Sequence, residues 1–205
     1  MCHRVSPLLR SELQEALDML RETGHARVPQ REPGVMVPDA YPGQQLPLFV
    51  PNDTGELAVT TLTWGFDAPE GSRSKLIFNT RIETALSQAR TGRGLWAEAI
   101  RSGRCLVPVR AFYERWTVSP PERGAQVRFT LPGSQTFLLA GVYQEGRLSV
   151  VTTAPNASVS RVHSRMPLVL GPGESATWLG SDYAMLADRS ALRLDSVVED
   201  RGQPA

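Results

Sequence analysis

The second residue of the chain, Cys2, is the residue whose position most directly suggests chemistry. Removal of Met1 would leave Cys2 with a free α-amine beside a free thiol. The amine titrates near pH ~8 and the thiol near ~8.5, so both are partly nucleophilic at neutral pH. Such a 1,2-aminothiol converts an aldehyde, through an imine, into a five-membered thiazolidine. An internal cysteine cannot do this because its nitrogen is part of an amide.

Three further stretches place polar side chains within otherwise apolar sequence. Residues 79–84 (Asn-Thr-Arg-Ile-Glu-Thr) follow a strand-like segment, Glu114 lies within an aromatic run at 112–116, and residues 163–167 (His-Ser-Arg-Met-Pro) precede another apolar run. Because a folded core is normally apolar, polar groups at such positions are candidates for function.

Each of these polar residues also has a structural interpretation. Aromatic neighbours would desolvate Glu114 and raise its pKa towards the range of a general acid or base, but it could also face water or pair with Arg110 or Arg115. His163 could transfer protons near neutral pH, or it could be structural or solvent-exposed. Asn79 precedes a predicted helix and could cap it.

Other functional motifs give weak signals or none. Cys2, His3, Cys105 and His163 do not match the spacing of a common zinc site, so we expect no metal. We find neither a glycine-rich phosphate loop before a helix nor a Gly-x-Ser-x-Gly nucleophile elbow, and we expect no cofactor.

Taken together, these stretches resemble the SRAP family, the SOS-response-associated peptidases, now understood as abasic-site processing proteins. The resemblance spans roughly residues 2–180. It is carried by Cys2 followed by Arg4, the Asn-x-Arg-x-Glu-Thr block at 79–84, the aromatic-Glu block at 112–116 and the His-x-Arg-Met-Pro block at 163–167. Each block alone is a modest signal, but all four occur in the family's order.

The resemblance implies that the protein binds single-stranded DNA and traps an abasic site as a DNA–protein crosslink. The Cys2 amine would attack the sugar C1′ and the thiol would close the thiazolidine. Glu114 would act as acid and base during sugar-ring opening. His163 would handle protons at the imine stage, permitting strand cleavage or crosslink reversal, and Asn79 would hold the Cys2 terminus.

The resemblance also implies a set of DNA contacts and a processing step. Arg4, Arg81 and Arg165 would bind phosphates that flank the lesion, Pro42 would line the DNA groove, and Trp64 would contact DNA. The family name implies that the chain removes its own Met1.

Two alternatives remain open from the residues alone. In the first, Cys2 is the nucleophile of an N-terminal-nucleophile hydrolase that cleaves amides, assisted by Asn79 and His163. In the second, the chain is a non-enzymatic module that binds single-stranded DNA through its basic segment and exposed aromatic residues.

Composition indicates the fold class that must position these groups. The chain has 205 residues, 41% of them hydrophobic, with 16 Pro and 17 Gly. Such a chain can bury a core as one domain, and frequent turns favour many short elements. We therefore expect a single α+β domain over residues 1–205, with an antiparallel, barrel-like sheet and peripheral helices.

Hydrophobic periodicity locates the elements. Helices are predicted at 11–23, 83–90, 95–101, 175–179 and 183–189, the first with a capping box formed by Ser11 and Gln14. Strands are predicted at 48–50, 57–64, 105–109, 111–118, 127–131, 136–143, 147–153 and 166–170, the sixth and seventh joined as a hairpin. Residues 28–47 are predicted to form a long loop.

Charge is unevenly distributed along the chain. Residues 73–110 contain eight Lys or Arg against Glu83 and Glu98, whereas residues 174–205 contain six acids against three Arg. A basic segment suits phosphate contacts, although it could equally be a solvated face. The start has no signal-peptide pattern and no segment reaches ~20 apolar residues, so we expect a cytoplasmic protein that does not contact membranes and is associated with the nucleoid when bound to DNA. We also expect a monomer.

Overall fold

The computed structural model describes residues 2–26, 28, 38–72, 74–118 and 124–199. Most of its strands belong to one large sheet. In chain order the strands are β1 (Arg4–Pro7), β2 (Gln45–Pro51), β3 (Leu57–Trp64), β4 (Phe66–Asp67), β5 (Leu76–Ile77), β6 (Asn79–Arg81), β7 (Arg104–Arg115), β8 (Gln126–Thr130), β9 (Phe137–Gln144), β10 (Arg147–Thr153), β11 (Met166–Pro167), β12 (Val169–Leu170) and β13 (Asp195–Val198).

The helices lie outside this sheet. They are α1 (Arg10–Thr23), α2 (Ile82–Thr91), α3 (Ala99–Ser102) and α4 (Ser175–Leu179), with a 3₁₀ helix at Tyr183–Ala187. None of the helices in the described part of the chain is long and apolar enough to span a membrane.

The sheet closes on itself through the long strand β7. It pairs with β2 at one edge and with β9 at the other, and β9, β10, β3 and β2 are joined side by side. The prediction of an α+β fold with a barrel-like sheet is therefore confirmed. The sheet is mixed rather than purely antiparallel, because β10 runs parallel to β3 and to β6.

The alternating faces of the barrel strands divide the core in two. One cluster packs between the sheet and the helices and includes Leu106 of β7 and Leu17 of α1. The other contains the neighbouring residues Cys105 and Val107 of β7. Cys2 belongs to this second cluster, so the start of the chain is part of the packed interior.

Helix α1 illustrates how local sequence and structure agree and where they differ. Its predicted apolar stripe is buried, and Gly24 ends the helix in the left-handed conformation with φ of 73°. The predicted cap on Ser11 and Gln14 is wrong. Instead the Glu12 carboxylate accepts a hydrogen bond from the Leu9 backbone N–H at 2.7 Å, so the helix starts one residue earlier.

Several other boundaries differ from the predictions. The two runs at 105–109 and 111–118 are joined in the single strand β7, which ends at Arg115, and Arg110 between them is buried and paired with Glu12 at 2.8 Å. Within the predicted loop 28–47, residues 45–47 belong to β2, while residues 29–37 lie outside the described part. Helix α3 is shorter than predicted, and β1, β4, β6 and β13 were not predicted.

We predict that Leu106→Ala destabilises the barrel. Leu106 is fully buried and lies opposite Phe49 of β2 and Ala140 of β9. Truncation of its side chain therefore leaves a cavity where β7 closes the barrel. The expected loss in the free energy of unfolding is about 2–5 kcal/mol, measured by urea denaturation. Val59→Ala on β3, an exposed position, is the control. A loss below about 1 kcal/mol for Leu106→Ala would contradict the predicted role.

Candidate functional site

Antiparallel pairing of β1 with β7 brings the start of the chain to Glu114. Arg4 lies opposite Tyr113 and Val5 opposite Phe112, so Cys2 continues along the end of β7. The Cys2 side chain is fully buried, and its Sγ lies 3.7 Å from the Arg4 carbonyl oxygen. The N-terminal thiol is thus held inside the protein.

Asn79 binds the backbone of Cys2 from a different strand. It lies on β6, which runs parallel to β10 with Asn79 opposite Val150. Its Nδ2 donates a hydrogen bond to the Cys2 carbonyl oxygen at 2.8 Å. Its Oδ1 is buried without a hydrogen-bond partner among the described residues. The interpretation of Asn79 as a helix cap is wrong, because the residue that precedes α2 is Arg81.

Glu114 is a fully buried carboxyl group. It lies on β7 opposite Val127 of β8, and none of its side chain is exposed to solvent. Burial raises the pKa of Glu114 to about 7. The solvent-exposed interpretation is therefore wrong. Of its two suggested ion-pair partners, Arg115 is exposed and Arg110 pairs with Glu12.

His163 completes the cluster. Its Nδ1 lies 3.9 Å from Glu114 Oε2 and accepts a hydrogen bond from the Arg165 backbone N–H at 3.0 Å. The preceding residue, Val162, accepts a hydrogen bond from the Thr117 N–H at 2.8 Å, which ties this turn to the end of β7. Burial lowers the pKa of His163, so its imidazole is mostly neutral at pH 7.

The same burial suppresses ionisation of the Cys2 thiol. Burial, followed by the charge of Glu114, raises the pKa of Cys2 far above its usual range. The expectation that this thiol is partly ionised at neutral pH is therefore wrong for the folded chain. The cluster combines a neutral thiol, an acid that titrates near pH 7 and a neutral imidazole, which is suited to proton transfer around a nucleophile.

The three arginines predicted to contact DNA differ in their surroundings. Arg81 is exposed at the end of β6. Arg165 is mostly buried and binds the Glu83 carboxylate through two hydrogen bonds of 2.8 and 2.9 Å. Arg4 binds Asp39 and Glu199 and stacks over an aromatic ring. Only Arg81 among these three therefore has an openly exposed side chain.

The predicted DNA contact of Trp64 is wrong. Trp64 is fully buried, packs edge-on against Phe78 and donates its Nε1–H to the Phe78 carbonyl oxygen at 2.9 Å. Pro42 is half-buried and lies in a turn beside the end of β3. The N–H of Gly43, in the same turn, donates a hydrogen bond to the Trp64 carbonyl oxygen at 2.7 Å. Trp64 thus supports this turn from within the barrel.

Three residues around Arg4 were missed by the sequence analysis. The Arg4 guanidinium carbon lies 3.9 Å from the centre of the Tyr113 ring, and Asp39 and Glu199 supply carboxylates. No local pattern marks them. They meet only because β1 pairs with β7 while Glu199 follows β13.

Other parts of the described structure are less suited to this chemistry. Clefts of about 570 and 620 Å³ lie elsewhere, the first beside Arg101 and Arg147 and the second beside Met185 and Arg189. Among the described residues, no group of three or more His, Cys, Asp or Glu side chains is arranged to hold a metal ion.

Comparison with curated proteins identifies relatives of this chain. It is 31% identical over 150 residues to the abasic site processing protein YoqW of Bacillus subtilis, an alignment that covers 67% of this chain and 64% of YoqW. It is 27% identical over 150 residues to the abasic site processing protein YoaM of the same bacterium, covering 67% of this chain and 63% of YoaM. The alignments thus span less than two thirds of these relatives.

Solved structures share the fold. A crystal structure of a protein from Bordetella bronchiseptica matches with a TM-score of 0.70 and 22% identity, covering 97% of this chain and all of the other. A family model described as SOS response associated peptidase (SRAP) matches residues 1–199. Because this match covers nearly the whole chain, the protein belongs to the SRAP family.

Proposed function

We propose that this protein captures abasic sites in single-stranded DNA as a covalent crosslink to Cys2, after Met1 has been removed. The observation that carries the proposal is the hydrogen bond from Asn79 to the carbonyl oxygen of Cys2, in a cluster where Glu114 has a pKa of about 7. The names of the curated relatives, abasic site processing proteins, support DNA with abasic sites as the target. One chain supplies all four residues of the cluster, so a monomer is sufficient for the reaction. These residues are Cys2, Asn79, Glu114 and His163.

The proposed reaction begins at the nitrogen of the new N-terminus. The Cys2 amine adds to the C1′ aldehyde of the ring-opened sugar, and the resulting carbinolamine loses water to give an imine. The thiol sulfur then bonds to C1′ while its proton passes to nitrogen, which closes the thiazolidine. The net reaction joins protein and DNA with loss of one water.

The protonation states support this order of steps. The thiol is neutral because burial disfavours the thiolate, so the amine is the better first nucleophile. Protonated Glu114 can donate to the sugar ring oxygen as the aldehyde forms, and its carboxylate can accept a proton later. An acid whose pKa lies near the working pH can perform both transfers.

His163 is proposed to act after the imine has formed. Its lowered pKa keeps the ring neutral, so it can remove a proton from the sugar and start β-elimination of the 3′ phosphate. The same base can assist crosslink reversal. Release of Met1 by the chain itself is proposed as the preceding step.

The DNA path is proposed to pass the exposed Arg81 beside this cluster. Arg81 is exposed two residues after Asn79 and is available to a phosphate. Arg165 and Arg4 would contact flanking phosphates, and Pro42 would line the groove. Contacts of this kind make affinity depend steeply on salt.

We predict that Cys2→Ala abolishes the crosslink. Incubation with single-stranded DNA containing an abasic site should give a heat-resistant shifted band on a denaturing gel for the wild type only. Cys105→Ala is the matched control, because Cys105 is the other buried cysteine and lacks a free amine. A Cys2→Ala protein that crosslinks as fast as the wild type would contradict the proposal, as would amide hydrolysis by the wild type without an adduct.

We predict that Glu114→Gln slows crosslinking by about 10²-fold and changes its pH dependence. In the wild type, free amine accumulates up to pH ~8 while Glu114 loses its proton above about pH 7, so the rate should follow a bell-shaped profile with its maximum between these values. Glu114→Gln should keep the rising limb and lose the falling one. Glu56→Gln, an exposed position, is the control. Identical profiles for wild type and Glu114→Gln would refute this role.

We predict that His163→Ala separates crosslinking from strand cleavage. Adduct formation should stay within about threefold of the wild-type rate, whereas strand cleavage and crosslink reversal should fall by about 10²-fold, because a general base is lost. Rates are followed on denaturing gels with end-labelled DNA. His25→Ala serves as the control. An equal loss of adduct formation and cleavage would contradict this assignment.

A further inference from the structure

The side chain of Arg4 is enclosed by negative charge. Its Nε donates to Asp39 Oδ2 at 2.6 Å, and its Nη1 and Nη2 donate to the two carboxylate oxygens of Glu199, with Nη2 at 3.2 Å. Its plane also covers the ring of Tyr113. One cation thus faces two carboxylates, a net charge of −1 when both are ionised.

This arrangement conflicts with phosphate binding at Arg4. A guanidinium binds phosphate through the same paired N–H groups that here hold Glu199. Its side chain is only 20% exposed, and an incoming phosphate would meet the Glu199 carboxylate before it met a free donor. A phosphate can therefore bind Arg4 in this way only if Glu199 moves.

Glu199 lies where movement costs little. It follows β13, which within the described residues pairs only with β8 and whose four residues are all exposed. The Glu199 N–H donates to the Gln126 carbonyl oxygen at 2.8 Å, which extends this pairing by one residue. An edge strand that buries little apolar surface opens with a small free energy.

Glu199 is also not required to hold Arg4 in place. Asp39 binds both Nε and Nη2 of Arg4, and Tyr113 supports the guanidinium plane. Without Glu199, Arg4 and Asp39 would form a neutral pair with Nη1 available. Glu199 therefore contributes a second negative charge at the position that suits a phosphate.

We propose that Glu199 is an internal competitor for nucleic-acid phosphate at Arg4, so that the C-terminal strand β13 acts as an electrostatic latch beside the reactive terminus. This inference rests on the proposed function. DNA that enters the site displaces the Glu199 carboxylate and replaces its bidentate contact with a phosphate. The latch weakens binding of any single strand, and only DNA that makes enough other contacts overcomes it.

The direct test compares Glu199→Gln with Asp195→Asn. Both remove one negative charge from the same segment, but no contact joins Asp195 to Arg4 in the described structure. The probe is a fluorescein-labelled oligothymidylate without an abasic site, followed by fluorescence anisotropy at several salt concentrations. Glu199→Gln should tighten binding about fivefold, the scale of one ion pair. The slope of log K against log salt should stay nearly unchanged, because a phosphate occupies Arg4 in both complexes.

Asp195→Asn should change the affinity by less than about 1.5-fold. Arg4→Gln combined with Glu199→Gln should show no gain over Arg4→Gln alone, because the gain requires the guanidinium. Equal affinities for wild type and Glu199→Gln, or an equal gain in Asp195→Asn, would overturn the latch.

Hydrogen exchange on the wild-type protein provides a second measurement that needs no variant. Saturation with oligothymidylate should speed exchange of the β13 and Glu199 amides several-fold. Unchanged or slower exchange there would also overturn the latch. Failure of the proposed function looks different, because no variant would then form an adduct with abasic DNA, whatever its affinity for oligothymidylate.

Discussion

Pairing of β1 with the end of β7 determines where the reactive groups of this protein meet. The register sets Arg4 opposite Tyr113, and this directs Cys2 into the interior beside Glu114. Because β1 and β8 flank this end of β7, the carboxyl group of Glu114 is buried and its pKa rises to about 7. The packing that stabilises the fold therefore also sets the protonation states on which the proposed chemistry depends.

Around this site, the thiol is uncharged and two arginines are already paired with carboxylates. Burial keeps the Cys2 thiol neutral, so the proposed reaction begins at the amine of a processed terminus. Close by, two of the proposed phosphate-binding arginines are occupied by carboxylates, Arg165 by Glu83 and Arg4 by Glu199. These ion pairs hold long cationic side chains in place, and in the proposed complex the phosphates exchange with the carboxylates. A site of this kind favours a ligand that makes many contacts at once.

Local sequence patterns correctly predicted those helices and strands whose formation depends on residues close in sequence. The apolar stripe of α1 and the runs that form β3 and β10 were located correctly because side-chain periodicity encodes them. The positions of Asp39 and Glu199 could not be predicted, since they reach Arg4 only through long-range strand pairing. Strand β13 was missed because its valines are exposed, and Trp64 was assigned to DNA although its indole N–H is satisfied inside the barrel.

The proposed crosslink requires that a processed N-terminal Cys2 supplies both nitrogen and sulfur to one sugar carbon. Mass spectrometry of the crosslinked protein after proteolysis tests it most directly. We expect the DNA remnant on the peptide that begins with Cys2, with Met1 absent and a mass equal to peptide plus sugar less one water. Recovery of the adduct on a peptide that retains Met1, or on another residue, would contradict the account.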